Sequence, residues 1–587
     1  MIPLEVTEII LSHLSTKSLL NAATVCHVWY PSVMYSLYRS VDLYSTHQHQ
    51  RFMDGLQANN DRVADDKMKT GRLVRKLTLH TINIMMDESE INTLKYLCPL
   101  MTSFDYAAGV PLTDEHLCYF TPGWKNLKRL PSWHEDESRN WIPQIGGQLT
   151  EIGCYMEELA VLPSLISPSP LFPCLVDLKI KLHYIGPGLD IAWMEMINDQ
   201  CPLLESLHME FVNADFGDNN KVSDLKPAEN LRVLAWTIDN YLNPIWYTYL
   251  AQKYPKVTEL YLTIDGSDDY NLDSIGNLTL HKTSIYNMVT SYQHLVTFGV
   301  TNHLDSAARY YPWRELGTWL GTEEAKHIKC LRWEIGTCKS WIDDDDDDDD
   351  NDNDNDNDND NEITNPSDQQ MTGDQRYPFG NIKQLNHLAI DFYDKLPEQM
   401  FGLCFGTLVL ENMSTLELKF LSWGGPYRSL DIELILDACP NITVLRLSNV
   451  ELAYMERTTT HQRQLRPRLY HFELTDCRFH PNDYMTHFVN RCPNLSILNL
   501  RCCKIYEQSW ARGVYSFTID APHHSFSLVT AQRIQSVDGE ELTGFNVKQT
   551  SQAMGKTVAY QLVKLCWTEV SFVIELTCSH VDTVTFE

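Results

Sequence analysis

Residues 492–503 read Cys-Pro-Asn-Leu-Ser-Ile-Leu-Asn-Leu-Arg-Cys-Cys and contain the most informative pattern in the chain. A Cys492-Pro493 step precedes a segment of the form apolar-x-x-apolar-x-apolar, which starts at Leu495. Because 43% of the residues are apolar, the segment alone recurs by chance, so the constant phase of the proline is the informative part. An apolar residue followed by proline lies at the same distance before such a segment at five other places. These are Cys98-Pro99, Phe172-Pro173, Cys201-Pro202, Tyr254-Pro255 and Cys439-Pro440.

The repeat extends through most of the chain. Eleven of the fourteen intervals between successive starts are 22 to 29 residues long. This period and pattern resemble the leucine-rich repeat. Cys477 and Cys503 occupy the Asn/Cys position of the extended pattern, so we expect them to be buried turn residues rather than reactive thiols. Fourteen of fifteen segments fit fully, and the Leu127 copy has Ser132 at the third apolar position. The segments start at Val74, Met101, Leu127, Leu149, Leu175, Leu204, Leu231, Val257, Leu295, Ile328, Leu385, Met413, Ile442, Leu469 and Leu495.

Each copy supplies one short strand and a returning helix that cannot bury its own apolar face, so neighbouring copies must stack into a curved solenoid. The strands line its concave side, and one residue between the two apolar strand positions points into the concavity. We predict that these residues form a substrate-binding surface, although each one alone also fits a solvated surface position. The candidates are Tyr261, Arg332, Arg446, Glu473 and Asn499, with Lys179, His208 and Glu417 in equivalent places.

A short helical module precedes the repeats. Pro3 suits the first turn of a helix over residues 3–14, and Glu5 and Glu8 lie near its positive end. A second helix follows through Leu19 and Leu20, and a third carries Val25, Trp29, Val33 and Leu37 at four-residue spacing. Three helices of this size cannot cover their own apolar faces, so a partner or a neighbouring domain is required.

The module resembles an F-box. The residues that carry the resemblance are Ile2 to Val6, Ile9 to Leu14, Leu19-Leu20, Val25-Cys26-His27-Val28-Trp29 and Leu37-Tyr38-Arg39. The resemblance implies docking onto a Skp-type adaptor and, through it, onto a cullin. The implied adaptor contacts are Pro3, Leu4, Ile9, Leu11, Leu14 and Leu20. The alternative is a helical cap on the domain that follows.

The predicted fold is an α/β repeat: a three-helix F-box module followed by a leucine-rich-repeat solenoid, or horseshoe. The module spans residues 1–45, and residues 46–73 form a linker or first capping segment. The solenoid spans 74–503 and is degenerate at 263–384. Residues 504–587 form irregular repeats or a cap. The Asp/Asn stretch 343–362 is predicted to be a disordered loop. It is either a tolerated low-complexity expansion or a binding segment for a basic partner.

Composition limits the classes of partner. A net charge of -31 is unsuited to nucleic acid and to anionic membrane surfaces. The first residues include Glu5 and Glu8 rather than a basic, apolar leader, and no run approaches the roughly 20 apolar residues of a membrane span. We therefore expect an intracellular protein, in the cytoplasm, the nucleus or both.

Recognisable catalytic and cofactor motifs are absent from the sequence. The adjacent pairs His523-His524 and Cys502-Cys503 are the only dense sets of possible metal ligands. Neighbouring residues on a strand point to opposite faces, so neither pair chelates easily. We therefore predict no catalytic residues, no cofactor and no metal.

Together these features predict a noncatalytic substrate-recognition subunit of a cullin-based ubiquitin ligase, serving ubiquitin-dependent protein degradation. Its F-box would hold the adaptor, and its repeats would hold a protein substrate. An alternative is a leucine-rich-repeat scaffold for protein interactions that has no association with a ligase. A third reading, a divergent enzyme built on the solenoid, rests on the weakly periodic residues 263–384 and the unassigned C-terminal stretch.

Overall fold

The chain divides into two compact units, Met1–Asp265 and Gly266–Glu587, which are described separately. The aspartate-rich stretch 343–362 lies outside the described residues. The computed structural model describes residues 10–11, 14, 16–25, 28–63, 69–80, 86, 88–106, 124–130, 133–134, 145–156, 170, 172–182, 191–211, 225–238, 244–264, 275–302, 313–320, 322–335, 384–393, 410–421, 428–430, 432–452, 467–479, 484–505, 514–532, 535–536, 546–551, 558–565 and 571–586.

The first unit begins with two short helices, α1 (Thr16–Val25) and α2 (Tyr30–Arg39). Most of the predicted helix over residues 3–14 lies outside the described residues. Trp29, predicted to lie within the third helix, instead precedes α2 as its N-cap residue, because Pro31 favours the first turn. The buried centre of the module consists of Leu11, Leu19, Ala22 and Val33.

A small parallel sheet follows without a connecting loop. Helix α2 ends at Arg39, and strand β1 (Ser40–Leu43) begins at the next residue. Helix α3 (Thr46–Arg62) starts after Ser45, whose hydroxyl accepts a hydrogen bond of 3.2 Å from the Gln48 amide. Strand β2 (Lys76–Leu79), helix α4 (Glu88–Leu97) and strand β3 (Ser103–Tyr106) complete the order β1-β2-β3. The segment predicted as a linker or cap, 46–73, therefore contains a helix of four to five turns.

A second parallel series fills the rest of the first unit. Arg129 bridges Ser103 on one side and Glu151 on the other. The strands in order are β4 (Trp133–His134), β5 (Glu151–Met156), β6 (Asp177–Leu182), β7 (Ser206–Phe211), β8 (Val233–Ile238) and β9 (Glu259–Ile264). Helix α5 (Ile191–Gln200) lies between β6 and β7 in the chain, and α6 (Ile245–Lys253) lies between β8 and β9.

The second unit continues the same alternation. Its helices are α7 (Ile275–Ser291), α8 (Trp313–Leu320), α9 (Ile432–Ala438) and α10 (Tyr484–Arg491). Its parallel strands in order are β10 (Thr297–Asn302), β11 (Cys330–Ile335), β12 (His387–Tyr393), β13 (Thr415–Leu421), β15 (Val444–Ser448), β17 (His471–Thr475), β19 (Ile497–Arg501) and β21 (Val514–Gln532). Strands β11 and β12 pair in register despite the long interval between Ile328 and Leu385.

Strands also follow the last recognised repeat. Strand β25 (Ser571–Phe586) pairs in parallel with β21, and β24 (Val558–Leu565) and β23 (Asn546–Ser551) extend from it in antiparallel order. A second sheet of very short parallel strands consists of β14 (Arg428–Leu430), β16 (Val450–Leu452), β18 (Arg478–Phe479), β20 (Lys504–Ile505) and β22 (Gln535–Ser536). Asn449, Asp476 and Cys502 make the preceding turns with φ of 59°, 52° and 53°.

The repeat phase correctly predicted the strand positions. In fourteen of the fifteen copies a strand begins two residues after the repeat start, and the Leu127 copy has the bridging residue Arg129 there. The first and fourth residues of all fifteen copies are buried. An α/β architecture with a large parallel sheet and intervening helices is therefore confirmed. Within the described ranges, every helix is too short or too polar to cross a bilayer.

A partly buried ion pair connects α5 to α6. Lys253 Nζ lies 2.5 Å from Glu195 Oε2, and the Tyr249 hydroxyl donates a 2.8 Å hydrogen bond to Glu195 Oε1. The Lys253 side chain is 4% exposed, whereas that of Glu195 is 32% exposed. If its partner is removed, the Glu195 carboxylate can therefore still contact water, whereas the Lys253 ammonium has little access to it.

Glu195→Ala is expected to lower the free energy of unfolding by about 3 kcal/mol, because it leaves the buried Lys253 ammonium unpaired. Lys253→Met is expected to cost only about 1 kcal/mol, because Glu195 keeps the Tyr249 hydrogen bond and partial hydration. Urea unfolding followed by circular dichroism measures both values. A larger loss for Lys253→Met than for Glu195→Ala would show that burial of the lysine is not the dominant cost.

Candidate functional site

The N-terminal module exposes several large apolar side chains. Leu20 on α1 is 55% exposed and Val28, between the helices, is 58% exposed. Ile10 and Tyr30 are also exposed. Four such residues within 21 positions of a module with a small core are available for contact with another protein.

The predicted adaptor-contact residues occupy different environments. Pro3, Leu4 and Ile9 lie outside the described residues. Leu11 is completely buried in the centre of the module, and Leu14 is partly buried against that centre. Leu20 is the predicted contact with the largest described exposure. A substitution at Leu11 would therefore act first on the folding of the module, whereas one at Leu20 acts on its surface.

In the first unit, predicted surface residues align across neighbouring strands. We define the central row of a sheet as the fifth residue of each repeat. Lys179, His208, Ala235 and Tyr261 stand side by side in this row on β6 to β9. The Tyr261 hydroxyl donates a 3.1 Å hydrogen bond to Glu259 Oε2, two residues earlier on the same strand.

In the second unit, the central row carries an alternation of charge. Its members in order are Gly299, Arg332, Ala389, Glu417, Arg446, Glu473, Asn499 and Thr530. Arg446 bonds Glu417 through Nη1, and its Nε lies 3.4 Å from Glu473 Oε2. Arg501 Nη1 lies 3.8 Å from Glu473 Oε1. Two of the predicted substrate-binding residues, Arg446 and Glu473, are therefore paired with each other.

Two histidines flank this charged row. His387 Nε2 lies 3.6 Å from Glu417 Oε1, and His471 Nε2 lies 3.6 Å from Glu473 Oε2. Burial lowers the pKa of both imidazoles, and this effect outweighs the attraction of the neighbouring carboxylates. Both histidines are therefore uncharged at pH 7, and the arginines neutralise the two glutamates.

The remaining predicted substrate-binding residues differ in accessibility. Arg332 is exposed, and its direct neighbours in the row are the small residues Gly299 and Ala389. Asn499, expected to be solvated, is instead buried, because His471 from the adjacent strand packs against it with Asn499 Nδ2 and His471 Nε2 3.1 Å apart. Asn499 therefore offers little surface to a substrate.

The cysteines of the repeat turns are structural, as predicted. Cys477 and Cys503 are completely buried, and the Cys477 thiol lies 3.4 Å from the Leu447 carbonyl oxygen. Burial raises the pKa of Cys477 to about 12 and that of Cys503 well above its usual value. These thiols are protonated at neutral pH and are poor nucleophiles.

A metal centre is not formed by the described part of the chain, which holds no group of three or more His, Cys, Asp or Glu side chains suited to an ion. His524, half of the pair singled out in the sequence, is buried and hydrogen-bonded to the Leu495 carbonyl oxygen. Cys502 occupies a left-handed turn position. These contacts give both residues local structural roles.

Sequence reasoning missed Val28 and Tyr30 as exposed apolar residues, and it missed His387, His471 and Arg501 beside the central row. The two histidines occupy the third residue of their repeats, and Arg501 occupies the seventh. All three share the face of the central row, because alternate residues of a strand point to the same side. These three residues would have been predicted if the surface had included the residues two positions before and after the central row on each strand.

Comparison with known protein families identifies the N-terminal module. A model of the F-box-like family matches residues 1–44. A search of curated proteins found none that matches the chain. Residues 1–44 are therefore an F-box-like domain, and F-box domains generally bind Skp-type adaptors.

Proposed function

We propose that the chain is a noncatalytic substrate-recognition subunit of an intracellular, cullin-based ubiquitin ligase, acting in the cytoplasm, the nucleus or both. The F-box-like domain binds a Skp-type adaptor and through it a cullin, and the repeat sheet binds a protein substrate for ubiquitin-dependent degradation. The observation that carries this proposal is the F-box-like match over residues 1–44. Exposed Leu20 and Val28 on the same module support it.

We also propose that the repeats belong to the leucine-rich class and form a solenoid. Two regularities support this assignment. Every repeat start is followed at constant distance by a strand or bridge, and the apolar positions of successive copies lie opposite one another, as in Leu178, Leu207, Leu234 and Leu260. Copies that bury one another in this way form a quasi-one-dimensional stack.

The proposed mechanism is proximity. A bound substrate is held near the ubiquitin-conjugating enzyme that the cullin recruits, which raises its effective concentration without a catalytic group on this chain. The direct passage of α2 into β1 supports the mechanism, because it joins the F-box-like domain to the first sheet without a flexible linker.

The test compares partner turnover for the wild type and a Leu20→Asp/Val28→Asp variant. Proteins captured by the variant are expected to accumulate in cells, whereas those captured by the wild type are ubiquitinated and degraded. The variant must first be shown to fold and to capture the same proteins. Equal turnover with both forms would contradict the ligase function and favour the scaffold without ligase association.

A further inference from the structure

On the exposed face of the first unit, short side chains along strand β8 lie between the side chains of β7 and β9, and we call this strip the groove along β8. Val233, Ala235 and Thr237 project from this face of β8 and form the floor. Strands β7 and β9 carry the walls, with His208 opposite Tyr261. Adjacent strands are separated by about 4.8 Å, so the backbones of β7 and β9 lie about 10 Å apart. All five residues are partly exposed.

The groove carries negative charge and no fixed positive charge. On this face β7 to β9 present nine residues, of which Glu210 and Glu259 are acidic and none is Lys or Arg. Glu210 is paired with Lys181 at 2.7 Å. Glu259 accepts the Tyr261 hydrogen bond and forms no ion pair with a described residue. Its charge is therefore available to a ligand.

A second acid lies near the groove but outside it. Asp177 on β6 lies in the same row as Val233 and Glu259, and its buried Oδ1 accepts no hydrogen bond from the described residues. Burial lowers the pKa of His208, so this wall residue is uncharged at pH 7. A cation at Glu259 would therefore meet no repulsion from His208.

We propose that the groove along β8 binds a basic segment of a protein partner. A Lys or Arg side chain of the partner lies along β8 with its methylene groups on Val233 and Ala235 and its cation between the Tyr261 ring and the Glu259 carboxylate. The inference rests on the proposed function, since it names the class of substrate that the repeat sheet recognises.

The charge of the whole chain favours the same partner. A net charge of -31 attracts a basic segment at long range and repels an acidic one. The corresponding row of the second unit is less suited to this role, because Arg446 already pairs with both Glu417 and Glu473 there. A cation bound at those glutamates would have to displace existing ion pairs.

The test uses the full chain and two fluorescein-labelled peptides. One has the sequence Gly-Ser-Gly-Arg-Gly-Arg-Gly-Ser-Gly, and the other replaces both arginines with neutral citrulline. Fluorescence polarisation is expected to show at least about fivefold tighter binding of the arginine peptide, a preference of the size that a cation held by an aromatic ring and a carboxylate provides. Equal binding of the two peptides would overturn the proposal.

Variants then locate the binding. A Glu259→Gln/Tyr261→Ala variant is expected to lose most of the arginine preference, and Tyr261→Phe to keep most of it because the ring remains. The matched control, Glu417→Gln, removes an acid that is paired with Arg446 and is expected to change nothing. An unchanged preference in the groove variant would overturn the proposal, as would loss of preference when Asp343 to Asp350 are replaced by asparagine.

Adaptor binding is measured on the same proteins. Both groove variants are expected to keep the affinity of the wild type for a Skp-type adaptor, and circular dichroism with urea unfolding checks that their repeats fold. If the wild type fails to bind the adaptor but keeps the arginine preference, the ligase function fails and the groove stands. If the adaptor binds but the arginine preference is absent, the groove fails and the ligase function stands.

Discussion

Replacing Leu20 and Val28 together with aspartate is expected to weaken binding of a Skp-type adaptor by at least about a hundredfold. Both side chains are more than half exposed, so the substitutions change the surface of the F-box-like domain and leave its buried centre intact. Apolar anchors at a protein interface contribute about 2 kcal/mol or more each, and a buried aspartate adds a desolvation cost.

The matched control carries the same added charge at exposed polar positions. Asn21 lies beside Leu20 on α1, and Thr46 begins α3, so Asn21→Asp/Thr46→Asp also adds two negative charges. This variant is expected to bind the adaptor within about twofold of the wild type. A comparable loss in both variants would mean that charge, rather than the apolar surface, determines adaptor binding.

Leu11→Asp is not a suitable test of the interface. Leu11 is completely buried against Leu19, Ala22 and Val33, so a charge there would unfold the module. Lost adaptor binding in such a variant would not distinguish a missing contact from a missing fold.

Inserting Gly-Ser-Gly-Ser between Arg39 and Ser40 is expected to slow ubiquitin transfer to a bound substrate by about tenfold or more. The junction is rigid for two reasons. Helix α2 passes directly into β1, and the Arg75 amide donates a 3.0 Å hydrogen bond to the Arg39 carbonyl oxygen. Strand β1 then pairs with β2 from Ser40 onward. A flexible insertion lets the adaptor sample many orientations and lowers the effective concentration of the substrate at the conjugating enzyme.

The measurement is a reconstituted ubiquitination assay with separate binding assays for adaptor and substrate. Both affinities are expected to stay unchanged, because the insertion removes neither surface. The same four residues inserted within 343–362 serve as the control and are expected to leave transfer unchanged. Normal transfer with the junction insertion would contradict a mechanism that depends on fixed geometry.

The repeat positions were predictable because two independent signals coincide in them. The apolar spacing specifies which residues face the core, and in the six copies with an apolar-proline step the position of the proline specifies where the strand begins. The long interval between Ile328 and Leu385 weakened the pattern, yet β11 and β12 pair in register. Loop-closure entropy grows only slowly with length, so an insertion between repeats interrupts the spacing more than the sheet.

The candidate functional surfaces were only partly predictable, because they depend on contacts between repeats. The sequence placed Arg446 and Glu473 on one surface, but only the strand register brings their charges together. Asn499 has the same position in its repeat as Tyr261, but the neighbouring His471 buries it. Likewise, the F-box resemblance implied that both Leu11 and Leu20 contact the adaptor, but only packing separates the buried residue from the exposed one.

Binding of the purified full-length chain to a Skp-type adaptor, measured by isothermal titration calorimetry, tests the proposed function most directly. We expect one adaptor per chain with submicromolar affinity, and no detectable heat with the Leu20→Asp/Val28→Asp variant. A folded wild-type chain that does not bind the adaptor would contradict the ligase function and reduce the F-box-like domain to a cap on the repeats.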